Sequence, residues 1–328
     1  MSDQPRIVVA GAGAIGCYVG GLLAAHGRDV CLFGRSGLGD EIAQNGLTLT
    51  DFHGAKTHVA APAFETDPHC LSGTEIVLVA VKSAATPEIA DYIARYAPSA
   101  VIVSLQNGIS NADTLRARLP GTDIRGAVVA FNVAKTGIGT FHQGTSGGIT
   151  IEAGIPDLSA VLTTPHLDTT TTNNIVSVQW GKLLVNLNNA LNALSGMTLL
   201  DQLQTRAWRR ILATQMTETL TVLKAAEISP AKFSPVAPQI VPHILRLPNL
   251  VFTRIAKAML TIDPQARSSM QDDLMAGRLT EIDALQGEVL RLAGQHGLTC
   301  PTIERVTKAI RAAEQAKAGP PKLRPHDI

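Results

Sequence analysis

The first half of the chain alternates short apolar runs with stretches of helical periodicity. The apolar runs are rich in β-branched residues and scarcely alternate with polar positions, which is typical of parallel strands buried on both faces. Helices are expected between them, up to Ala25 and at 87–96 and 111–119. The alternation of strand and helix predicts a doubly wound α/β sheet. The strand candidates are 7–9, 30–35, 76–81, 100–105 and 124–131.

Two weaker segments extend the strand pattern. Residues 137–154, rich in Gly and Thr, and the apolar run 175–178 are expected to be further strands at the far edge of the sheet. From Trp180 onward the pattern becomes helical, with proline-containing loops at 230–238 and near residue 264. The expected helices are 181–195, 202–227, 238–260, 268–296 and 302–317.

This change of pattern predicts two domains, for which a chain of 328 residues has room. Residues 1–179 are expected to form a Rossmann domain, and residues 180–318 an all-helical domain. The tail 319–328, with sequence GPPKLRPHDI, is expected to fray.

A glycine-rich turn follows the first strand and precedes the first helix. Its G-x-G-x-x-G spacing permits a tight turn, close approach of a pyrophosphate and close packing of helix on strand. The helix start adds free N–H groups and partial positive charge. A tight βα turn without a ligand is the alternative, and the strand–turn–helix context favours a nucleotide. The candidate residues are Gly11, Ala12, Gly13, Ala14, Ile15 and Gly16.

The end of the second strand bears on the choice of cofactor. NAD sites usually place an acid there for the ribose hydroxyls, whereas this strand ends in Phe33, Gly34 and Arg35. Asp29 lies at the start of the strand, too early to reach the ribose. A guanidinium can bind a 2′-phosphate, so the sequence favours NADP over NAD. A solvated surface arginine is the alternative.

Two further polar positions follow neighbouring strands. Lys82 comes directly after the strand 76–81, and Asn107 lies in the turn LQNG at 105–108. The carboxyl ends of parallel strands face the ligand crevice of such a sheet. Lys82 can therefore meet a phosphate or ribose, and Asn107 can lie between cofactor and substrate. A solvated loop lysine and an ordinary Asn-Gly turn are the alternatives.

One helix beyond Trp180 carries a polar stripe. Lys182, Asn186 and Asn189 recur at helical spacing, while the neighbouring leucines are expected to be buried. A surface helix can carry the same residues. Their expected place at a domain junction favours a polar pocket wall.

A second polar block runs from Ser268 to Asp283. Thr280 and Asp283 have the spacing of a helix-capping box, which is a structural reading of those two residues. Glu281 does not fit that reading, and its alternative is a solvated helix face.

Composition excludes several functional classes. The net charge is +1 with 17% charged residues, so no overall field attracts nucleic acid or an anionic membrane. The four cysteines are scattered without metal-ligand spacing, and Cys17 and Cys31 are expected to be buried thiols. Residues 1–6 lack a signal-peptide core, and no apolar run is long enough to span a membrane. The sequence therefore predicts a soluble cytoplasmic protein without a metal site.

The chain resembles the ketopantoate reductase (2-dehydropantoate 2-reductase) family from end to end. The resemblance implies NADPH-dependent reduction of ketopantoate to pantoate, a step toward pantothenate and coenzyme A. It also implies that the helical domain carries the substrate and catalytic residues. The matching segments are GAGAIG at 11–16, Val81-Lys82, LQNG at 105–108, WGKLLVN at 180–186 and the block 268–298.

The resemblance also implies roles for individual residues. Lys182 matches the catalytic lysine, and Glu281 matches the glutamate of the C-terminal motif, which can hold the lysine or the ribose. Arg35 and Lys82 match the basic residues facing the 2′-phosphate end of NADP. The substrate-binding candidates are Asn107, which is also near the nicotinamide, Lys182, Asn186, Asn189 and Ser269.

Two positions depart from the family pattern. Ala190 stands where the family usually has a second asparagine, which Asn189 on the same stripe can replace, and Ala266 stands where another asparagine is often found. These departures leave open a different 2-keto acid as substrate. A non-catalytic NADP-binding redox sensor is a third reading, against which Lys182 and Glu281 argue. A monomer and a homodimer through the helical domain both fit the sequence.

Overall fold

The protein is described by a computed structural model, in which residues 4–233, 236–256 and 265–328 are described. The chain divides into two compact units, Met1–Ile175 and Val176–Ile328. The first unit holds the strands, and the second is built from helices. The two-part α/β and helical architecture expected from the sequence is confirmed.

The centre of the first unit is an eight-stranded sheet with the order β12-β11-β8-β7-β6-β1-β2-β5. Its neighbours pair in parallel, except for the antiparallel pair of β8 and β11. The order from β5 to β8 is that of a Rossmann sheet. The strands are β1 (Ile7–Ala10), β2 (Val30–Phe33), β5 (Ala63–Glu65), β6 (Ile76–Val79), β7 (Val101–Ser104), β8 (Ile124–Val129), β11 (Ile149–Glu152) and β12 (Thr169–Thr172).

Alternate residues of the central strands feed two separate cores. In β1, Ile7 and Val9 belong to the core on one face of the sheet, and Val8 and Ala10 belong to the core on the other. Side chains two residues apart share a face, so a strand covered on both sides must be apolar throughout. The covering helices are α1 (Ala14–Ala25), α2 (Ser36–Asn45), α3 (Thr86–Tyr96), α4 (Asn111–Arg118) and the short α5 (Ser159–Leu162).

A second, four-stranded sheet in this unit was not expected. Its order is β4-β3-β10-β9, with β3 and β10 paired in parallel at its centre. The segment 137–154 was expected to extend the main sheet, but of its strands only β11 does so. The strands of this second sheet are β3 (Leu47–Asp51), β4 (Lys56–Val59), β9 (Val133–Gly137) and β10 (Thr140–Gln143).

A strand was expected at 175–178 because this run is apolar and rich in β-branched residues. The structure shows instead that the run forms the first turn of a long helix. Among its described residues, the second unit contains this helix and seven others. These helices are α6 (Ile175–Ser195), α7 (Leu199–Gln204), α8 (Arg206–Ala225), α9 (Val241–Leu245), α10 (Asn249–Ile255), α11 (Ser269–Met275), α12 (Glu288–Gln295) and α13 (Pro301–Ala316).

Three expected long helices are interrupted. The helix expected at 202–227 breaks at Thr205, which has extended backbone angles and separates α7 from α8. The helix expected at 238–260 is replaced by α9 and α10, and its last residues lie outside the described part of the chain. The helix expected at 268–296 is divided by residues 276–282 and by a π-helical turn, Asp283–Gly287.

A buried arginine organises the connection between several of these helices. Arg209 is 1% exposed, and its guanidinium donates to the backbone carbonyls of Leu203, Gln204, Leu245 and Leu247 and to the Asn249 side chain. All of these acceptors lie in or beside α7, α9 and α10. The cation also lies 4.0 Å from the centre of the Phe252 ring.

The last ten residues differ from the expectation of a frayed tail. The Leu323 N–H donates to the Leu194 carbonyl at the end of α6, 2.8 Å away. The Arg305 Nε donates to the backbone oxygen of Ile328 at 2.6 Å. The tail is therefore held against α6 and α13 by hydrogen bonds that composition does not reveal.

Candidate active site

The glycine-rich turn fits a dinucleotide. Gly11 has a φ of +114°, and a Cβ there would lie 2.5 Å from the Val81 nitrogen. A Cβ on Gly16 would collide with the Gly11 carbonyl and with Val9. At Gly13, by contrast, a Cβ would meet no protein atom within 4 Å. Gly13 is exposed at the start of α1, where N–H groups are left without helical acceptors.

Neighbouring strands hold this turn in place. The Gly11 and Ala12 N–H groups both donate to the Phe33 carbonyl at 3.0 Å, and the Ala80 N–H donates to the Ala10 carbonyl at 2.8 Å. The turn therefore lies between the carboxyl ends of β2 and β6. The strand order reverses at β1 and β6, which is where ligands bind in open α/β sheets.

Arg35 follows β2, which ends at Phe33, two residues earlier than the sequence suggested. It is exposed and is the N-cap residue of α2, with extended backbone angles. The side chain thus begins next to a helix N-terminus, whose partial positive charge favours an anion. A Cβ at Gly34 would approach the Ala12 Cβ to 2.6 Å, which places this position directly against the glycine-rich turn.

Lys82 and Asn107 lie in loops after β6 and β7. Lys82 is exposed and precedes the 3-10 turn Ser83–Ala85, and β6 ends at Val79, two residues earlier than expected. Asn107 is half-buried, and its carbonyl accepts from the Asn111 Nδ2 at 2.7 Å. Both loops are at the carboxyl edge of the sheet, near the glycine-rich turn.

A buried polar network, missed by sequence reasoning, joins these two loops. The Gln106 Nε2 donates to the Val81 carbonyl at 3.0 Å and to the Thr86 Oγ1 at 2.7 Å. The Thr86 hydroxyl donates to the Asn111 Oδ1 at 3.1 Å. Since Gln106 and Asn111 are neighbours of Asn107 in space and Val81 precedes Lys82, the network fixes both loops. The sequence signal that could have revealed this network was the presence of polar residues such as Gln106 directly after a buried strand.

In the helical unit, α6 presents the polar stripe as expected. Lys182, Asn186 and Asn189 are each partly exposed, whereas the leucines between them are buried. Ala190, the departure from the family pattern, is fully buried in the core. A larger polar side chain there would have to displace packed apolar groups.

Lys182 and Glu281 are brought together within this unit. Burial of the ammonium lowers the pKa of Lys182 from its ordinary 10.5 to about 8, and the Glu281 carboxylate acts in the opposite direction. A lysine with such a pKa can both hold and release a proton near neutral pH.

The start of α11 lies against the same stripe. Ser268 is buried and is the N-cap of α11, where its Oγ accepts from the Gln271 N–H. The same hydroxyl donates to the Asn189 carbonyl at 3.0 Å, and the Ser268 N–H donates to the Asn192 Oδ1 at 2.9 Å. Ser269, the substrate-binding candidate, is exposed at the first helical position. Sequence reasoning missed the anchoring role of Asn192.

The capping box predicted for Thr280 and Asp283 is not formed. The Thr280 N–H and hydroxyl both donate to the Glu314 Oε1 at 2.7 Å, and Asp283 pairs with Arg311 at 2.6 Å. Both contacts reach α13, while the Thr280 Oγ1 keeps one local bond, accepting from the Ile282 N–H at 3.2 Å. Glu281 lies half-buried between them.

Two absences among the described residues concern metal and membrane sites. Across the described residues, no cluster of three or more His, Cys, Asp or Glu side chains could hold a metal ion. Within the same residues, no helix is both long and apolar enough to cross a bilayer.

Comparison with known proteins decides the family. The sequence profiles of the ketopantoate reductase PanE/ApbA family match residues 7–155 and, for its C-terminal part, residues 174–314. The chain belongs to the ketopantoate reductase family. Its two units therefore correspond to the two parts of the ketopantoate reductase fold.

Individual relatives resemble the chain over nearly its whole length. The 2-dehydropantoate 2-reductase of Halobacterium salinarum is 28% identical over 94% of this chain and 99% of its own. The ketopantoate reductase structure from Ralstonia eutropha JMP134 has a TM-score of 0.81 at 28% identity, covering 95% of this chain and 99% of its own. A D-mandelate dehydrogenase with NADH and anilino(oxo)acetate has a TM-score of 0.75 at 20% identity, covering 95% and 99%, and this likeness shows the fold alone.

Proposed function

We propose that this protein reduces 2-dehydropantoate to pantoate with NADPH. The observation that carries the proposal is Lys182, a partly buried lysine with its pKa lowered to about 8 beside Glu281, within a ketopantoate reductase fold. Reduction of a ketone needs a cation and proton donor at the carbonyl oxygen, and Lys182 meets both requirements.

The first unit is proposed to hold the cofactor. Residues 11–16 would cradle the pyrophosphate, since Gly13 leaves open space and α1 begins there. Arg35 would bind the 2′-phosphate, and Lys82 would add positive charge from the next loop. The reduced nicotinamide supplies the hydride when bound. Preference for NADPH over NADH rests on Arg35 and on the lack of an acid at the tip of β2.

Lys182 is proposed to stabilise and then protonate the carbonyl oxygen of the substrate. Negative charge develops on that oxygen as the ketone is reduced. One well-placed donor at such an oxygen contributes about 3–4 kcal/mol, or 10²–10³ in rate. The lowered pKa of Lys182 makes proton transfer easier at neutral pH than from an ordinary lysine.

The remaining polar residues are proposed to orient the lysine and the substrate. Glu281 would hold Lys182 in its protonated form or contact the cofactor ribose. Asn186, Asn189 and Ser269 would bind the carboxylate or hydroxyl of the substrate, and Asn107 would contact both ligands. The Ser268 hydrogen bonds to Asn189 and Asn192 fix the relative positions of α6 and α11 for this purpose.

A second candidate function is reduction of a different 2-keto acid by the same mechanism. Ala190 and Ala266 favour it, because each removes an amide that the family usually has. It is less well supported than ketopantoate reduction, since the 2-dehydropantoate 2-reductase of Halobacterium salinarum and the ketopantoate reductase structure from Ralstonia eutropha JMP134 match almost the whole chain. A non-catalytic redox sensor is not favoured, because a sensor has no need of Lys182.

The test is NADPH oxidation followed by absorbance, with ketopantoate at up to about a millimolar, the usual upper range for KM. Saturable consumption by the parent and its loss in Lys182→Ala, with NADPH affinity retained, would support the proposal. A panel of branched and aromatic 2-keto acids, assayed in parallel, distinguishes the two candidate functions, because faster turnover of another keto acid than of ketopantoate would support the second. Bound NADPH without turnover on any keto acid would indicate the sensor.

A further inference from the structure

The main chain around Glu281 is built into an unusual turn. The Glu281 carbonyl accepts from the N–H groups of Ala284 and Leu285 at 3.1 and 3.2 Å. The Ile282 carbonyl accepts from the Gly287 N–H at 3.0 Å, a π-helical bond. Single π-helical turns are often found at functional sites. The position of Glu281 therefore depends on how the turn Asp283–Gly287 is held.

Gln286 holds that turn against the helix of Lys182. Its side chain is fully buried, and its Nε2 donates to the Leu187 carbonyl on α6 at 3.0 Å. The same Nε2 donates to the Oε1 of Gln215, a fully buried residue of α8, at 3.2 Å. Since Leu187 is little more than a helical turn after Lys182, one amide connects the two segments that carry Lys182 and Glu281.

This buried amide pair is poorly satisfied for a structural core. Within the described part of the chain, the Gln286 Oε1 and the Gln215 Nε2 are buried without a hydrogen-bond partner. Each such group costs about 1–3 kcal/mol, a cost that apolar side chains of similar size would avoid. A residue retained at this cost calls for an explanation beyond stability.

We propose that Gln286 is a positioning residue for the Lys182–Glu281 pair. Its link to the Leu187 carbonyl sets how closely the Glu281 carboxylate approaches the Lys182 ammonium. This inference rests on the proposed function, in which both residues act in the reduction. It adds a residue that contacts neither substrate nor cofactor.

The charged groups around the turn support this division of roles. Glu281 is the charged group that acts on Lys182. Asp283 is paired with Arg311, and Thr280 donates to Glu314, so both contacts reach α13. The outer side of the turn is thus held by one ion pair and by the Thr280 hydrogen bonds, and the side toward α6 by Gln286.

Loosening this link has a defined electrostatic consequence. If the Glu281 carboxylate moves away, it opposes the effect of burial on Lys182 less strongly. The pKa of Lys182 then falls further below about 8, and a smaller fraction of the lysine is protonated at neutral pH. A purely structural defect would lower stability without moving this pKa.

The experiment measures Lys182 directly in the full-length protein without substrate. Acetic anhydride labelling of Lys182, followed by mass spectrometry over a pH series, gives the pH at which half the lysine is reactive. In Gln286→Met, which keeps the side-chain length, we expect this midpoint to fall by about one unit. We also expect kcat for ketopantoate to fall roughly 10- to 100-fold with unchanged NADPH affinity.

Gln215→Met is the matched control. It removes an equally buried amide and leaves the bond from Gln286 to Leu187 in place, so its labelling midpoint should equal that of the parent. Glu281→Gln gives the largest expected downward shift. Should Gln286→Met fail to fold, Gln286→Asn keeps the amide on a shorter side chain and should give a smaller shift in the same direction.

The outcomes separate this inference from the proposed function. A folded Gln286 variant with the midpoint of the parent overturns the inference, as does an equal shift in Gln215→Met. If the parent does not reduce ketopantoate, the proposed function fails, yet the labelling series still decides whether Gln286 positions the pair.

Discussion

Lys182 illustrates, at the scale of the residue, how a functional side chain opposes the stability of its own fold. Burial lowers its pKa to about 8 although Glu281 acts against that effect. A charged ammonium at this position therefore costs free energy at neutral pH, when the protein has no substrate to bind. Sites with such perturbed groups commonly trade stability for activity.

Replacing this lysine should accordingly stabilise the protein. Below about pH 8 Lys182 is protonated in both the folded and the unfolded chain, so the full cost of burying the charge is present. Between about pH 8 and 10.5 only the unfolded chain keeps this proton, so the stability of the protein rises with pH. We expect Lys182→Met to increase the free energy of unfolding at pH 7 by about 1–3 kcal/mol. Urea unfolding at pH 7 and pH 10 measures this, and the gain should shrink at the higher pH. A less stable variant at pH 7 would contradict the cost assigned to Lys182.

Arg35 should control the choice between the two nicotinamide cofactors. A charge-assisted bond to the 2′-phosphate contributes about 1.5–3 kcal/mol. Arg35→Ala should therefore weaken NADPH binding roughly 10- to 100-fold and change NADH binding little, as measured by fluorescence titration. Arg118→Ala, which removes another exposed arginine of the same unit, is the control. Equal weakening of both cofactors would remove Arg35 from the 2′-phosphate site.

At the scale of the element, the sequence predicted those helices and strands whose position follows from the local pattern of apolar residues. Strands β1, β2, β6, β7 and β8 and the helices α1, α3 and α4 follow from apolar runs and helical periodicity, and these predictions are confirmed, whereas α2 and β5 were not predicted. The strand predicted at 175–178 is wrong, because β-branched residues favour strands in isolation, whereas here they begin α6. The half-exposed strands β3 and β4 were missed, since β3 pairs with β10, which lies far along the chain, and β4 adds to the other side of β3. The Gln106 and Gln286 contacts likewise depend on tertiary structure.

The connection between α7, α8 and α10 should depend on the guanidinium of Arg209. A lysine keeps the charge but cannot supply five directed N–H groups, so several buried carbonyls would lose their donors. We expect Arg209→Lys to reduce the free energy of unfolding by about 3 kcal/mol or more, measured by urea unfolding. Arg210→Lys, one position along the same helix, is the control and should be near neutral. An equal effect of the two would show that the network carries little energy.

At the scale of the whole molecule, the two units divide the proposed reaction between them. The nucleotide candidates other than Glu281 lie in Met1–Ile175, and the proposed proton donor with its partners lies in Val176–Ile328. Each unit has its own packed interior, so ligand binding should stabilise the units separately before it affects the chain as a whole.

Hydrogen exchange with mass spectrometry tests this division. NADPH alone should slow exchange in the segments around residues 11–16, 35 and 82–107, because it binds the first unit. Addition of a ketopantoate analogue should extend protection to residues 182–189 and 268–281. The protein without ligands is the reference. Uniform protection of both units by NADPH alone would contradict the separate assignment.

The three glycines of the turn at 11–16 should respond to different selective pressures. A side chain on Gly11 or Gly16 meets the protein itself, so such variants should be lost from a library screened for abundance alone. A Cβ at Gly13 would enter open space, so variants at this position should pass that screen. These variants should be lost only when survival requires cofactor binding. A paired library screen would thus distinguish, within a single motif, the glycines kept by folding from the one kept by function.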